Sequence, residues 1–151
     1  MSGAEPRARE EVRIYRKILV TLDATPTDRA IVDHIRPVAK AMKSRVVLLH
    51  VATGWAAQWF GRNAVSPEVD EDTAYLEKVR EEFTADGIEA EAQLSFGDPV
   101  REIVRWVEEH GCDLVAMSTH GHRALADVFL GTTAIRVQHQ VRVPVLLLRA
   151  R

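Results

Sequence analysis

The stretch Asp113-Leu114-Val115-Ala116-Met117-Ser118-Thr119-His120-Gly121 decides the fold class. Its middle is apolar without polar alternation, the pattern of a strand buried on both faces of a parallel sheet. It ends on hydroxyl-bearing residues and a glycine, and Gly131-Thr132-Thr133 then opens a helical segment that runs to Gln140. Lys17 to Asp23, Arg45 to Val51 and Val143 to Arg149 are apolar runs of the same kind. Ala90 to Ser95 is a weaker run that alternates more.

The segments between these runs carry helix signals. Thr25-Pro26-Thr27-Asp28 offers an N-cap, a proline at the first helical position and an acid in the first turn. Ile31, His34, Ile35, Val38 and Met42 follow at helical spacing, with an expected kink at Pro37. From Asp70 to Asp86, Tyr75, Leu76, Val79 and Phe83 share one face, and Gly87 can close the helix. Asp98-Pro99 repeats the cap-plus-proline signal ahead of Ile103, Val104 and Val107, with Gly111 at the end.

Strand and helix therefore alternate through the chain. That pattern predicts a single-domain α/β fold: an open parallel sheet with right-handed crossovers and helices on its faces. Residues 1–13 mix Glu and Arg with few apolar side chains and are expected to form a flexible tail ahead of one domain over 14–151. The long irregular stretch from Thr53 to Val69 carries Trp55, Trp59 and Phe60. Its aromatics can cover a ligand, meet a partner or pack on the body.

The composition narrows the function classes. The chain has 151 residues, 46% hydrophobic and 28% charged, and 20 basic side chains face 22 acidic ones. A net charge of −2 excludes a general electrostatic affinity for nucleic acid or for an anionic membrane. No apolar run is long enough to span a bilayer, and the first residues form no apolar leader, so the expected location is cytoplasmic. Cys112 is the one cysteine, which excludes an internal disulfide; it precedes an apolar run and reads as an inert core thiol.

Open parallel sheets bind ligands beyond the carboxyl ends of their strands, where strand order reverses. The candidates are therefore the residues just after each strand: Asp23-Ala24-Thr25, Val51-Ala52, Ser95-Phe96-Gly97 and Ser118-Thr119-His120-Gly121. The last group is the most informative; taken with Met117 before it and His122-Arg123 after it, it is followed by Gly131, Thr132 and Thr133 opening a helix. Two small-residue turns near a helix N-terminus present backbone N–H groups and a positive dipole end, which suits a phosphate. The hydroxyls of Thr132 and Thr133 can add hydrogen bonds, and Arg123 can add charge. The same residues also read as an ordinary glycine turn and a capped helix. Asp23 can accept from ribose hydroxyls, or it can serve as a turn residue before the first helix.

Taken together, these motifs resemble the nucleotide-binding signature of universal stress proteins. The ATP-binding branch of that family carries Gly-x2-Gly-x9-Gly-Ser/Thr followed by a hydrophobic pair and Pro-Val. This chain has Ser118-x2-Gly121-x9-Gly131-Thr132, then Val137-Gln138 and Pro144-Val145. Ile18 to Asp23, Leu48-Leu49-His50-Val51 and Gly97-Asp98-Pro99 are similar to other stretches of the family. The resemblance implies a five-stranded parallel sheet of order 3-2-1-4-5, of the adenine nucleotide alpha-hydrolase-like kind. It implies ATP across the reversal between the first and fourth strands, with Mg or Mn carried by its phosphates. Asp23 would face ribose and Val51 adenine, while Ser118, Thr119 and Gly121 would meet ribose and phosphates. Gly131, Thr132 and Thr133 would cradle phosphates. It also implies a homodimer through Val143 to Leu148, consistent with an apolar edge strand that needs covering.

The chain departs from the family pattern in three places. Ser118 stands where the first motif glycine is expected, Gln138 stands in the hydrophobic pair, and Ala24 stands where a glycine commonly follows the aspartate. An alanine there must either avoid positive φ or carry strain. Other chemistries lack their motifs. His120 and His122 have no evident third zinc ligand, and no nucleophile elbow, Gly-x-Gly-x-x-Gly or Walker loop is present. His50 reads as a hydrogen-bonded structural histidine. The expected function is a nucleotide-dependent dimeric switch acting on an unidentified regulatory partner. The alternatives are a dimeric interaction module that binds no nucleotide and a weak ATPase or autophosphorylating protein; no catalytic residue is assigned.

Overall fold

A computed structural model describes residues 13–53, 67–119 and 128–150, with the side chains of 128–131 excepted. Its strands are β1 (Lys17–Leu22), β2 (Arg45–Ala52), β3 (Ala90–Phe96), β4 (Leu114–Thr119) and β5 (Val145–Arg149). Its helices are α1 (Arg29–Met42), α2 (Pro67–Ala85), α3 (Pro99–His110) and α4 (Val128–Gln140), and a 3-10 turn, Pro26–Asp28, leads into α1. The strands form one parallel sheet of order β3-β2-β1-β4-β5. This is the order expected from the resemblance.

Alternation along the strands divides the core between two faces. Ile18, Val20 and Leu22 of β1 pack with Val46, Leu48, Leu114 and Ala116 under Ile31, Val32 and Ile35 of α1 and Leu76, Val79 and Phe83 of α2. Leu19 of β1 packs on the other face with Val47, Leu49, Val115 and Met117, under Ile103, Trp106 and Val107 of α3 and Ala134 and Val137 of α4. Burying side chains of this size contributes about 1.5–3 kcal/mol each.

Local signals set the element ends. The Asp98 carboxylate accepts from the Arg101 N–H at 2.9 Å, Pro99 starts α3, and Gly111 closes it at φ +63°. Helix α1 runs unbroken through Pro37, which forfeits one ladder hydrogen bond. The described part of helix α2 starts at Pro67 and includes three residues ahead of the sequence pattern's Asp70. Cys112 is buried, and desolvation pushes its thiol up to about 11. Among the described residues no helix is long and apolar enough to cross a membrane. The expected tail lies almost wholly outside the described residues, as do Trp55, Trp59 and Phe60.

Candidate functional site

Strand order reverses between β1 and β4, the first and fourth strands, whose crossovers leave on opposite faces. Registers run Leu22 beside His50, and Val20 beside Ala116. Asp23 directly follows β1, Val51 follows the last β1–β2 pair, and Thr119 ends β4. Three expected site residues thus lie at the carboxyl edge, where an open α/β sheet takes its ligand. All three are half-buried, as is Ala24, while Ser118 is buried. Met117 is buried against α3 and α4, so its side chain belongs to the core.

The turn after β1 is built around a buried carboxylate. Asp28 is 1% exposed and accepts from the Asp23 N–H at 2.9 and 3.1 Å and from the Thr25 N–H at 3.3 Å. The Tyr75 hydroxyl, from α2, donates to the same carboxylate at 2.9 Å. Burial raises the phenol's pKa, and the neighbouring Asp28 charge raises it further. Ala24 sits between the two bound amides with φ +58°, in the left-handed region. The alanine therefore adopts the conformation for which a glycine is commonly used, and strain is the outcome.

A second polar tether joins α2 to the edge. His50 places Nδ1 2.7 Å from the Leu22 carbonyl oxygen and Nε2 3.3 Å from Asp72 Oδ2. A carbonyl only accepts, so Nδ1 carries the hydrogen. His50 is the hydrogen-bonded residue expected from its place at a strand end. The part played by Asp28, Tyr75 and Asp72 is not legible from glycine and hydroxyl motifs. The spacing Thr25-x-x-Asp28 is the one signal that points to Asp28, because an acid three residues after a capping threonine can reach back to its N–H.

The phosphate side differs in one respect from the sequence reading. The described part of helix α4 runs from Val128 to Gln140, so Gly131, Thr132 and Thr133 lie within the helix rather than ahead of it. Thr132 is exposed and Thr133 half-buried. His120, Gly121, His122 and Arg123 lie outside the described residues. A separate cleft of about 760 Å³ lies between α3 and α4, lined in part by Arg101, Arg105 and Arg136. Among the described residues, no expected site residue lines it.

A family model described as the universal stress protein family matches residues 14–149. The universal stress protein YxiE of Bacillus subtilis (strain 168) is 24% identical over 148 residues, covering 90% of this chain and all of that one. Among solved structures, a universal stress protein in complex with cAMP superposes with a TM-score of 0.70 at 20% identity, covering 91% of this chain and 98% of that one. The Archaeoglobus fulgidus universal stress protein in complex with dAMP gives a TM-score of 0.66 at 18% identity, covering 89% and 98%. The shared architecture is the adenine nucleotide alpha-hydrolase-like fold.

Proposed function

The chain belongs to the universal stress protein family, and on that footing we propose that it binds an adenine nucleotide across the gap between β1 and β4. The observation that carries the reading is that Asp23, Val51 and Thr119 stand at the carboxyl ends of β1, β2 and β4, around the reversal of strand order. The neighbours complexed with cAMP and dAMP support it. In this reading the Asp23 carboxylate accepts from ribose hydroxyls and Val51 packs on the adenine. Ser118, Thr119 and Gly121 meet ribose and phosphate, His122 and Arg123 add donors and charge, and the start of α4 with Gly131, Thr132 and Thr133 receives the phosphates.

ATP is the nucleotide proposed, with Mg or Mn carried by its phosphates. Hydrogen bonds to charged oxygens contribute about 1.5–3 kcal/mol each, and ordering costs reduce the sum to an affinity of about micromolar order. The protein would act as a cytoplasmic switch, ATP favouring one arrangement of the edge. The second protomer would meet β5, an edge strand on which Leu147 is 41% exposed. Pairing two such edges covers apolar surface that a free edge leaves in water.

Thermal unfolding of the nucleotide-stripped protein tests the reading. ATP at a hundredfold excess over its dissociation constant stabilises a protein by about 2.7 kcal/mol, and the Asp23→Ala variant should lose most of that gain. One observation favours the interaction module instead: Gly131, Thr132 and Thr133 lie inside α4 rather than in an open turn ahead of it. Absence of any stabilisation at millimolar ATP would select that module.

A further inference from the structure

Among the described residues, two non-glycine residues have positive φ: Ala24 at +58° and Lys43 at +51°. Lys43 ends α1, where a left-handed residue is the ordinary way to close a helix. Ala24 has no such excuse. A Cβ in the left-handed region persists only where its surroundings over-determine it. Here one carboxylate grips both flanks: Asp28 binds the amides on both sides of Ala24, at 2.9 and 3.1 Å to Asp23 and 3.3 Å to Thr25. That carboxylate is itself held from 47 residues away, by the Tyr75 hydroxyl at 2.9 Å.

We propose that Asp28 and Tyr75 are positioning residues of the β1–β4 edge, a lock that keeps Ala24 left-handed, sets the placement of Asp23, and makes ligand affinity depend on how α2 is seated. The proposal rests on the nucleotide reading for its ligand, but the lock stands on the turn's own geometry. Helix α2 meets the end of β1 at a second point, through Asp72, His50 and the Leu22 carbonyl. Residues 22 and 28 bracket the turn, so a shift of α2 is felt on both sides of Asp23. Neither Asp28 nor Tyr75 has to touch the nucleotide for its loss to weaken binding.

The test uses four full-length proteins: wild type, Tyr75→Phe, Ala24→Gly and the double variant. Amide hydrogen exchange and ATP affinity are measured on each. Tyr75→Phe should speed exchange at Asp23 and Thr25 by about tenfold, leave Leu19 and Val20 unchanged, and weaken ATP binding by about three- to tenfold. Glycine takes the left-handed conformation without a Cβ penalty, so in the Ala24→Gly background the same Tyr75→Phe change should cost less than about twofold in affinity. A general loosening of the fold would give equal losses in both backgrounds and faster exchange along β1, and that result overturns the lock. Unchanged exchange at Asp23 and Thr25 also overturns it. If wild type binds no ATP while those two amides still respond and glycine still rescues them, the nucleotide reading falls and the lock stands.

Discussion

Tyr75 and Asp28 meet through a 2.9 Å hydrogen bond that ties α2 to the turn after β1. The Asp28 carboxylate is buried and also holds the Asp23 and Thr25 amides, so its loss leaves donors without partners. Asp28→Ala should therefore destabilise by about 2–4 kcal/mol, and Tyr75→Phe by about 1–2 kcal/mol, in urea unfolding. Equal and negligible effects would contradict a structural turn built on this carboxylate.

The same pair has a pH signature. Burial and the Asp28 charge raise the Tyr75 phenol above its ordinary value. A group with a raised folded-state pKa contributes stability that is complete below its unfolded value and is lost as pH rises above it. Wild-type stability should thus fall more steeply above about pH 10 than that of Tyr75→Phe, as read by unfolding at a series of alkaline pH values.

Acid should act on the outer face of α1 and α2. Arg29 lies 2.8 Å from Glu82, Arg36 lies 3.4 Å from Glu82 and 2.8 Å from Asp86, and both carboxyls are held below their ordinary values, chiefly by these hydrogen bonds. A depressed folded pKa gives stability that is present above the unfolded value and lost as pH falls through the folded one. Glu82→Gln should flatten that acid-side loss. The Glu82 pairs are partly exposed, so the change at neutral pH on losing the Glu82 charge should stay below about 1 kcal/mol.

How far the sequence was readable differs between fold and site. The apolar runs at Lys17, Arg45 and Leu114 declared buried parallel strands because both faces of each are covered, and Asp98-Pro99 and Gly111 declared both ends of α3. Helix α4 already includes Val128 to Leu130, which the sequence pattern leaves out because Gly131-Thr132-Thr133 looks like the opening of a helix. At the site, Asp23, Val51 and Thr119 could be placed from strand ends alone. Asp28 and Tyr75 could not, because their contact joins residues far apart in sequence and depends on how α2 is seated. Ala24 showed the need for an unusual turn; only the structure shows that the alanine accepts positive φ.

Cys112 should be nearly inert in the native state. Burial pushes its thiol up to about 11 from an ordinary 9.0, so little thiolate forms at neutral pH. Alkylation by iodoacetamide at pH 8 should be at least about a hundredfold slower in native than in urea-unfolded protein. Its stability contribution runs in the same sense as that of Tyr75, complete below the unfolded value and lost as pH rises towards the folded one. Rapid alkylation of the native protein would contradict the packing of this residue beneath α3.

The most direct measurement is a calorimetric titration of the nucleotide-stripped protein with Mg-ATP, run beside Asp23→Ala and Gly131→Val. The account predicts saturable binding near one ATP per chain with a dissociation constant of about micromolar order, weakened at least about tenfold in Asp23→Ala and lost in Gly131→Val. Wild-type protein that gives no binding heat and no thermal stabilisation at millimolar ATP would contradict it.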